Sequence, residues 1–303
     1  MLKSWKPNAV HVLLLSLLVA YLYNPTQSES SITHQLRSSE TEAFAGNILL
    51  LTAHPDDECM FFAPTILALA ALRQSSPSST LTSRSALYSL CLSVGNADGL
   101  GEIRKYELES SLDVLGVDEG KRRIVDHPDL QDNFTTRWDV NVIANIVKPY
   151  VLENQINTIL TFDRQGISGH PNHNSLPDGV KQLMSSQKEM RLFTLITIPL
   201  PAKYAGILAP SLAKFDLYGS NLFHHLEAQL TRLLNVLGVS ISPKSRNFAP
   251  PEPMPVFVSG FREYWVALQA MRAHSSQLVW FRWLYVIFSR YMWVNEWNEI
   301  KVE

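Results

Sequence analysis

The stretch Asn47-Ile48-Leu49-Leu50-Leu51-Thr52-Ala53-His54-Pro55-Asp56-Asp57-Glu58 decides the fold. Ile48 to Leu51 run apolar without alternation, the pattern of a strand covered on both faces, as in a parallel sheet. The run then breaks into a histidine, a proline and three acids. Pro55 cannot donate to a sheet ladder, so the strand stops there. Open α/β sheets place their ligands just past the carboxyl ends of central strands. His54 and Asp57 offer a nitrogen and an oxygen of the kind zinc accepts; Asp56 and Glu58 are spare carboxylates. Read alone, the three acids equally suit the first turn of a helix, where negative charge meets the helix dipole.

Working outward, the same order of strand, loop and helix recurs. Ala86 to Val94 reads as a second buried strand and ends in Gly95-Asn96-Ala97-Asp98-Gly99-Leu100-Gly101. Glu102 to Leu115 is expected as a helix with Gly116 closing it. Strands are expected at 122–125, 158–162, 192–198 and 256–258, the last of them 256–258. Helices are expected at 60–73, 140–153, 174–185, 222–237 and 261–273. The strand at 158–162 runs into Asp163-Arg164-Gln165-Gly166-Ile167-Ser168-Gly169-His170-Pro171-Asn172-His173, a second loop that carries histidines. Residues 277–297 form an aromatic, amphipathic stretch expected to be helical. The fold class is therefore α/β, a Rossmann-like three-layer domain with a mostly parallel sheet, spanning 46–303.

Residues 1–23 stand apart. Lys3 and Lys6 precede an apolar run over 9–23, somewhat short against the ~20 residues of a span. No small-x-small cleavage pattern follows it, and Tyr21 and Tyr23 suit an interfacial boundary. The expectation is an N-terminal membrane-anchor helix, uncleaved, followed by a flexible Ser/Thr/Gln-rich tether over 24–45. By the charge rule alone, the lysines would put the N-terminus in the cytosol and the domain across the membrane.

At 303 residues the chain can bury one full core. The charge is close to balanced, at −2, and nothing basic enough for nucleic-acid binding stands out. Cys59 and Cys91, each beside an apolar run, read as buried free thiols. Glu102, Arg104 and Glu107 have the spacing of a solvated helix face, and His224 and His225 that of ordinary helix histidines.

In a parallel sheet the carboxyl ends share one edge, so His54, Asp56 and Asp57 can meet His170 and His173 there. The geometric expectation is that two loops more than a hundred positions apart converge on one divalent cation. Three protein ligands with an open position suit a catalytic site; a structural zinc would be closed, usually by cysteines, and no cysteine cluster exists here.

Ala53-His54-Pro55-Asp56-Asp57-Glu58 together with Gly169-His170-Pro171-Asn172-His173 resembles the LmbE-like zinc deacetylases, and within them the PIG-L branch, the N-acetylglucosaminyl-phosphatidylinositol de-N-acetylases. The likeness extends through residues 90–101, Ile103-Arg104 with Glu107-Leu108, Thr161-Phe162-Asp163, and the aromatic segment from Ser276 to Met292. The resemblance implies an LmbE-like fold and a divalent metal, Zn2+, held by His54, Asp57 and His173. It implies Asp56 as general base and His170 as the group that stabilises the oxyanion and protonates the leaving amine. Arg104 matches the family's arginine that contacts sugar or inositol hydroxyls, and Asp132 an acidic substrate-binding position. The implied reaction removes the acetyl group of N-acetylglucosaminyl-phosphatidylinositol, the second step of GPI-anchor biosynthesis. The implied location is the endoplasmic reticulum membrane, single-pass, with the catalytic domain in the cytosol, against the charge rule.

A membrane partner fits the aromatics and arginines of 280–293, which equally suit a helix packed on the core. Two other readings share the motifs: a soluble-type amino-sugar deacetylase, and an inactive membrane-tethered binding module. The intact Asp56 and His170 speak against the second.

Overall fold

The computed structural model describes residues 16, 46–75, 86–185, 187, 189–236 and 255–301. Most of the expected anchor and tether, and residues 76–85 and 237–254, lie outside these residues. Among the described residues no helix is long and apolar enough to cross a membrane.

The first strand, β1 (Asn47–Thr52), is buried from Ile48 onward, as its unbroken apolar run requires. The others are β2 (Leu87–Cys91), β3 (Arg122–Ile124), β4 (Ile156–Phe162), β5 (Arg191–Leu195), β6 (Val256–Val258) and β7 (Val294–Ile300). They form a seven-stranded sheet in the order β3-β2-β1-β4-β5-β7-β6. The five strands from β3 to β5 are parallel, while β7 runs antiparallel to both β5 and β6. The strand order reverses direction at β1 and β4, which pair in parallel, so both strands end at one edge. That is the switch point at which such sheets open a crevice.

The helices are α1 (Asp57–Phe61), α2 (Ala63–Ser75), α3 (Gly101–Leu115), α4 (Val140–Glu153), α5 (Gly166–Gly169), α6 (Pro171–Met184), α7 (Leu200–Lys203), α8 (Ala209–Val236), α9 (Phe261–Ala273) and α10 (Trp280–Phe288). One layer joins α2, α3 and α9; α4 and α6 pack together as the other.

Several expected elements differ from those found. The helix expected at 60–73 is split at Phe62. Pro64 has no N–H to bond the Met60 carbonyl one turn back, and the Tyr285 hydroxyl takes that carbonyl at 3.3 Å. The stretch 277–297 is not one helix: α10 ends at Phe288, a 3₁₀ turn follows at Arg290–Met292, and the chain enters β7. Strand β6 is therefore not the last; β7 lies between it and β5. Buried Asn295 keys β7 to the core by donating to Phe61 O at 2.7 Å and accepting from Thr65 Oγ1 at 2.7 Å. Trp297 Nε1 donates to the same Thr65 hydroxyl at 2.9 Å. The helix expected at 222–237 begins at Ala209, and the side chains of His224 and His225 lie outside the described ones. Both cysteines are free and buried.

Candidate active site

The chain leaves β1 through a turn that Asp57 organises. Its Oδ2 accepts from the backbone N–H groups of Ala53 and His54 at 3.0 and 2.9 Å. Its Oδ1 is left facing His173 Nε2 at 3.2 Å. Asp56 occupies a left-handed conformation, φ 109°, that a side chain rarely adopts. Buried Glu58 holds it there by accepting the Asp56 N–H at 3.0 Å.

The second loop leaves β4. Gly166, at φ 58°, passes so close to the next helix that a Cβ there would lie 2.7 Å from His173 Cβ. Its carbonyl accepts from His173 Nδ1 at 3.1 Å, and the His173 ring stacks on Phe162 with centroids 4.1 Å apart. His173 sits in the first turn of α6, which starts earlier than the expected 174. His170 is the N-cap of that helix, its Nδ1 accepting from Asn172 N at 3.3 Å.

Counting protons fixes the tautomers. His173 gives its Nδ1–H to a carbonyl, so in the neutral ring Nε2 carries the lone pair. Asn172 Nδ2 donates to Thr136 O, and its Oδ1 must accept from His54 Nε2 at 3.1 Å. His54 Nδ1 therefore also carries a lone pair, and it faces His173 Nε2 at 3.2 Å. Burial holds His54 neutral, its pKa lowered to about 3. His173 Nε2 thus lies 3.2 Å from both His54 Nδ1 and Asp57 Oδ1. The two separations of 3.2 Å match the ~3.3 Å edge expected between ligands of a tetrahedral zinc with N and O donors. The residues present fit a divalent metal. His170 is also near, its ring centroid 4.7 Å from that of His54, and His54, His170 and His173 form a possible three-histidine donor set.

Around this focus stand the remaining expected residues. His170 Nε2, the protonated nitrogen by the same reckoning, points toward Asp132 Oδ1 at 3.7 Å. Burial first, then the neighbouring histidines, lower the His170 pKa to about 4. Asp132 lies 3.3 Å from His54 Nε2 and 3.5 Å from Arg104 Nη1, and burial raises its pKa. Burial likewise raises the Asp56 pKa, against the pull of Arg282 and Arg104. Arg104 and Glu107 are buried, unlike the solvated face their spacing suggests. Arg104 donates to Pro55 O at 2.7 Å and Gly95 O at 2.9 Å, lacing the β1 and β2 loops together. All seven expected site residues come together in one cleft of about 450 Å³.

Three participants escape a sequence reading. Arg282, on α10, brings Nη2 to 3.0 Å from Asp56 Oδ2, an ion pair without hydrogen-bond alignment. His274 is fully buried and meets Glu58 Oε1 at 2.6 Å; Ser111 Oγ donates to the same oxygen at 2.5 Å. Asn172 orients His54. Only Asn172 left a trace in the sequence, since it stands between the two histidines of the motif.

Residues 49–184 match the model of the PIG-L family, described as GlcNAc-PI de-N-acetylase. The bovine N-acetylglucosaminyl-phosphatidylinositol de-N-acetylase is 37% identical over 253 residues, covering 82% of this chain and 82% of the relative. The Saccharomyces cerevisiae protein of that name is 32% identical, covering 83% and 80%. A Schizosaccharomyces pombe protein named as a probable member is 30% identical, covering 86% and 90%. Likeness at this level, along most of both chains and through the loops that build the cleft, makes the chain a member of the PIG-L family of GlcNAc-PI de-N-acetylases.

Proposed function

We propose that this chain hydrolyses the acetamide of N-acetylglucosaminyl-phosphatidylinositol, releasing acetate and a free amine on the sugar. The observation that carries this reading is the placement of His173 Nε2 at 3.2 Å from both His54 Nδ1 and Asp57 Oδ1, beside the buried Asp56. These three residues would hold the divalent metal, most simply Zn2+. When bound, the metal supplies a Lewis acid for the amide oxygen and lowers the pKa of a water to about 7.

The chain's own residues account for the proton traffic. Asp56 takes the proton of the attacking water; its burial favours the protonated form that this step creates. His170 offers its Nε2–H to the oxygen that gains negative charge, because Nδ1 is committed to the Asn172 N–H. The amine departs with a proton passed on by Asp56 or His170. Arg104 and Asp132 line the wall on which sugar or inositol hydroxyls bind.

The reading includes a membrane anchor at 1–23 and a catalytic domain on the cytosolic side of the endoplasmic reticulum, as the sequence resemblance implies. The test of the activity is acetate release from a GlcNAc-phosphatidylinositol analogue. Release that stops with a chelator and returns with Zn2+ is the expected result. No release with any divalent metal would overturn the assignment.

A further inference from the structure

Nine residues form α10, and only Val286 among them is buried. The rest are mostly large and apolar, and several face outward: Trp280 is 75% exposed, Leu284 49% and Phe288 50%. Monomeric soluble proteins rarely leave such a patch uncovered without a ligand for it. The outward face borders an apolar groove of about 590 Å³, walled by Met60, Tyr204, Phe281, Leu284, Tyr285 and Phe288, with Arg282 at its edge. Five of these residues, Met60, Tyr204, Phe281, Arg282 and Tyr285, also wall the catalytic cleft. One continuous trough therefore runs from the donor atoms of His54, Asp57 and His173, past a guanidinium, onto hydrocarbon.

The floor of the trough is held by contacts made for this placement. Tyr285 OH is fixed on Met60 O. Glu107 accepts from Ser276 N at 2.7 Å and from Ser276 Oγ at 2.6 Å, anchoring the turn that leads into α10. Gly206 abuts the far end of the helix, since a Cβ on it would lie 3.0 Å from Ile287 O.

We infer that the groove along α10 is an acyl-chain subsite, taking one fatty chain of the same lipid whose acetamide lies at the metal site. The inference rests on the substrate reading given above. A ligand polar at one end, anionic in the middle and aliphatic at the other matches the order of walls along the trough. Each methylene moved from water into the groove strengthens binding about fourfold, so chain length becomes a determinant of kcat/KM.

The experiment uses the full chain, Zn2+ and monomeric substrates without vesicles: the deacylated GlcNAc-inositol phosphoglycerol, and dibutyryl and dioctanoyl GlcNAc-phosphatidylinositol below their aggregation concentrations. The expected result is a rise in kcat/KM of at least about tenfold from headgroup to dioctanoyl substrate. The Leu284→Ser/Phe288→Ser variant should flatten that rise and keep the headgroup rate, which also reports that it is folded. If the double variant loses the headgroup rate, the single Leu284→Ala variant is judged by the same slope. An equal rise in wild type and variant overturns the inference. So does a chain-length effect seen only when vesicles are added, which would make α10 a bilayer-docking face instead. Acetate from none of the substrates with the wild-type enzyme overturns the substrate reading itself, a separate outcome.

Discussion

His54 Nδ1 and His173 Nε2 face one another at 3.2 Å across 119 positions of sequence, and with both rings neutral their hydrogen-bond partners put each proton on the far nitrogen. Two imidazole lone pairs so opposed repel unless a cation or a proton lies between them. His173→Ala removes one of the pair and should reduce bound Zn2+ from about one per chain to near zero. Asn172→Leu should spare the ligands yet weaken Zn2+ binding by about 10–100-fold, because His54 loses the acceptor that fixes its tautomer. Metal analysis after dialysis against a competing chelator measures both; full occupancy in His173→Ala would refute the ligand set.

Asp56 contributes no atom to that trio, and its carboxyl, ion-paired with Arg282, lines the cleft where it can accept a proton. Asp56→Asn should lower kcat by about 10²–10⁴-fold while Zn2+ content stays at the wild-type level. A variant that turned over at near-normal rate would move the general base elsewhere.

Glu58 and His274 form a fully buried ion pair behind the Asp56 turn. Burial opposes the Glu58 charge, but His274 and the Ser111 hydroxyl hold its pKa below the ordinary value. His274→Ala strands that charge and should destabilise the domain by ~3–5 kcal/mol, a Tm drop of roughly 6–20 °C. Adding Glu58→Gln removes the stranded charge and should recover part of the loss. Thermal unfolding of the two singles and the double reads this directly; additive effects would show that the pair is not coupled.

Asn133-Phe134-Thr135 is a glycosylation sequon on the exposed rim of the cleft. With the domain in the cytosol, the protein made in cells should show no mobility shift on glycosidase treatment. A glycan on Asn133 would put the domain in the lumen and end the cytosolic placement.

The sequence displays what repeats locally and hides what depends on distant contacts. Strand β1 was readable because burial on both faces forces an unbroken apolar run, and α3 because Gly116 takes the left-handed φ of 77° that closes it. The convergence of the two histidine loops followed from parallel strands sharing an edge. The start of α6 could have been read one step better, since Pro171 suits a first helical position. Strand β7 was hidden in an aromatic stretch whose composition suits helix and strand alike. Its identity comes from Asn295 and Trp297, which find Thr65 about 230 positions away. His274 is a single histidine at a helix end, and only the Glu58 carboxylate, 216 positions earlier, gives it a purpose.

Strand β7 also sets an order of events in synthesis. It occupies an interior place in the sheet, between β5 and β6, yet among the described strands it comes latest in the chain. Until residues 294–300 emerge, β5 presents an unpaired antiparallel edge, and such an edge invites association with other chains. The nascent enzyme therefore passes through a long window with its parallel strands made and one flank open, when a holding chaperone matters most.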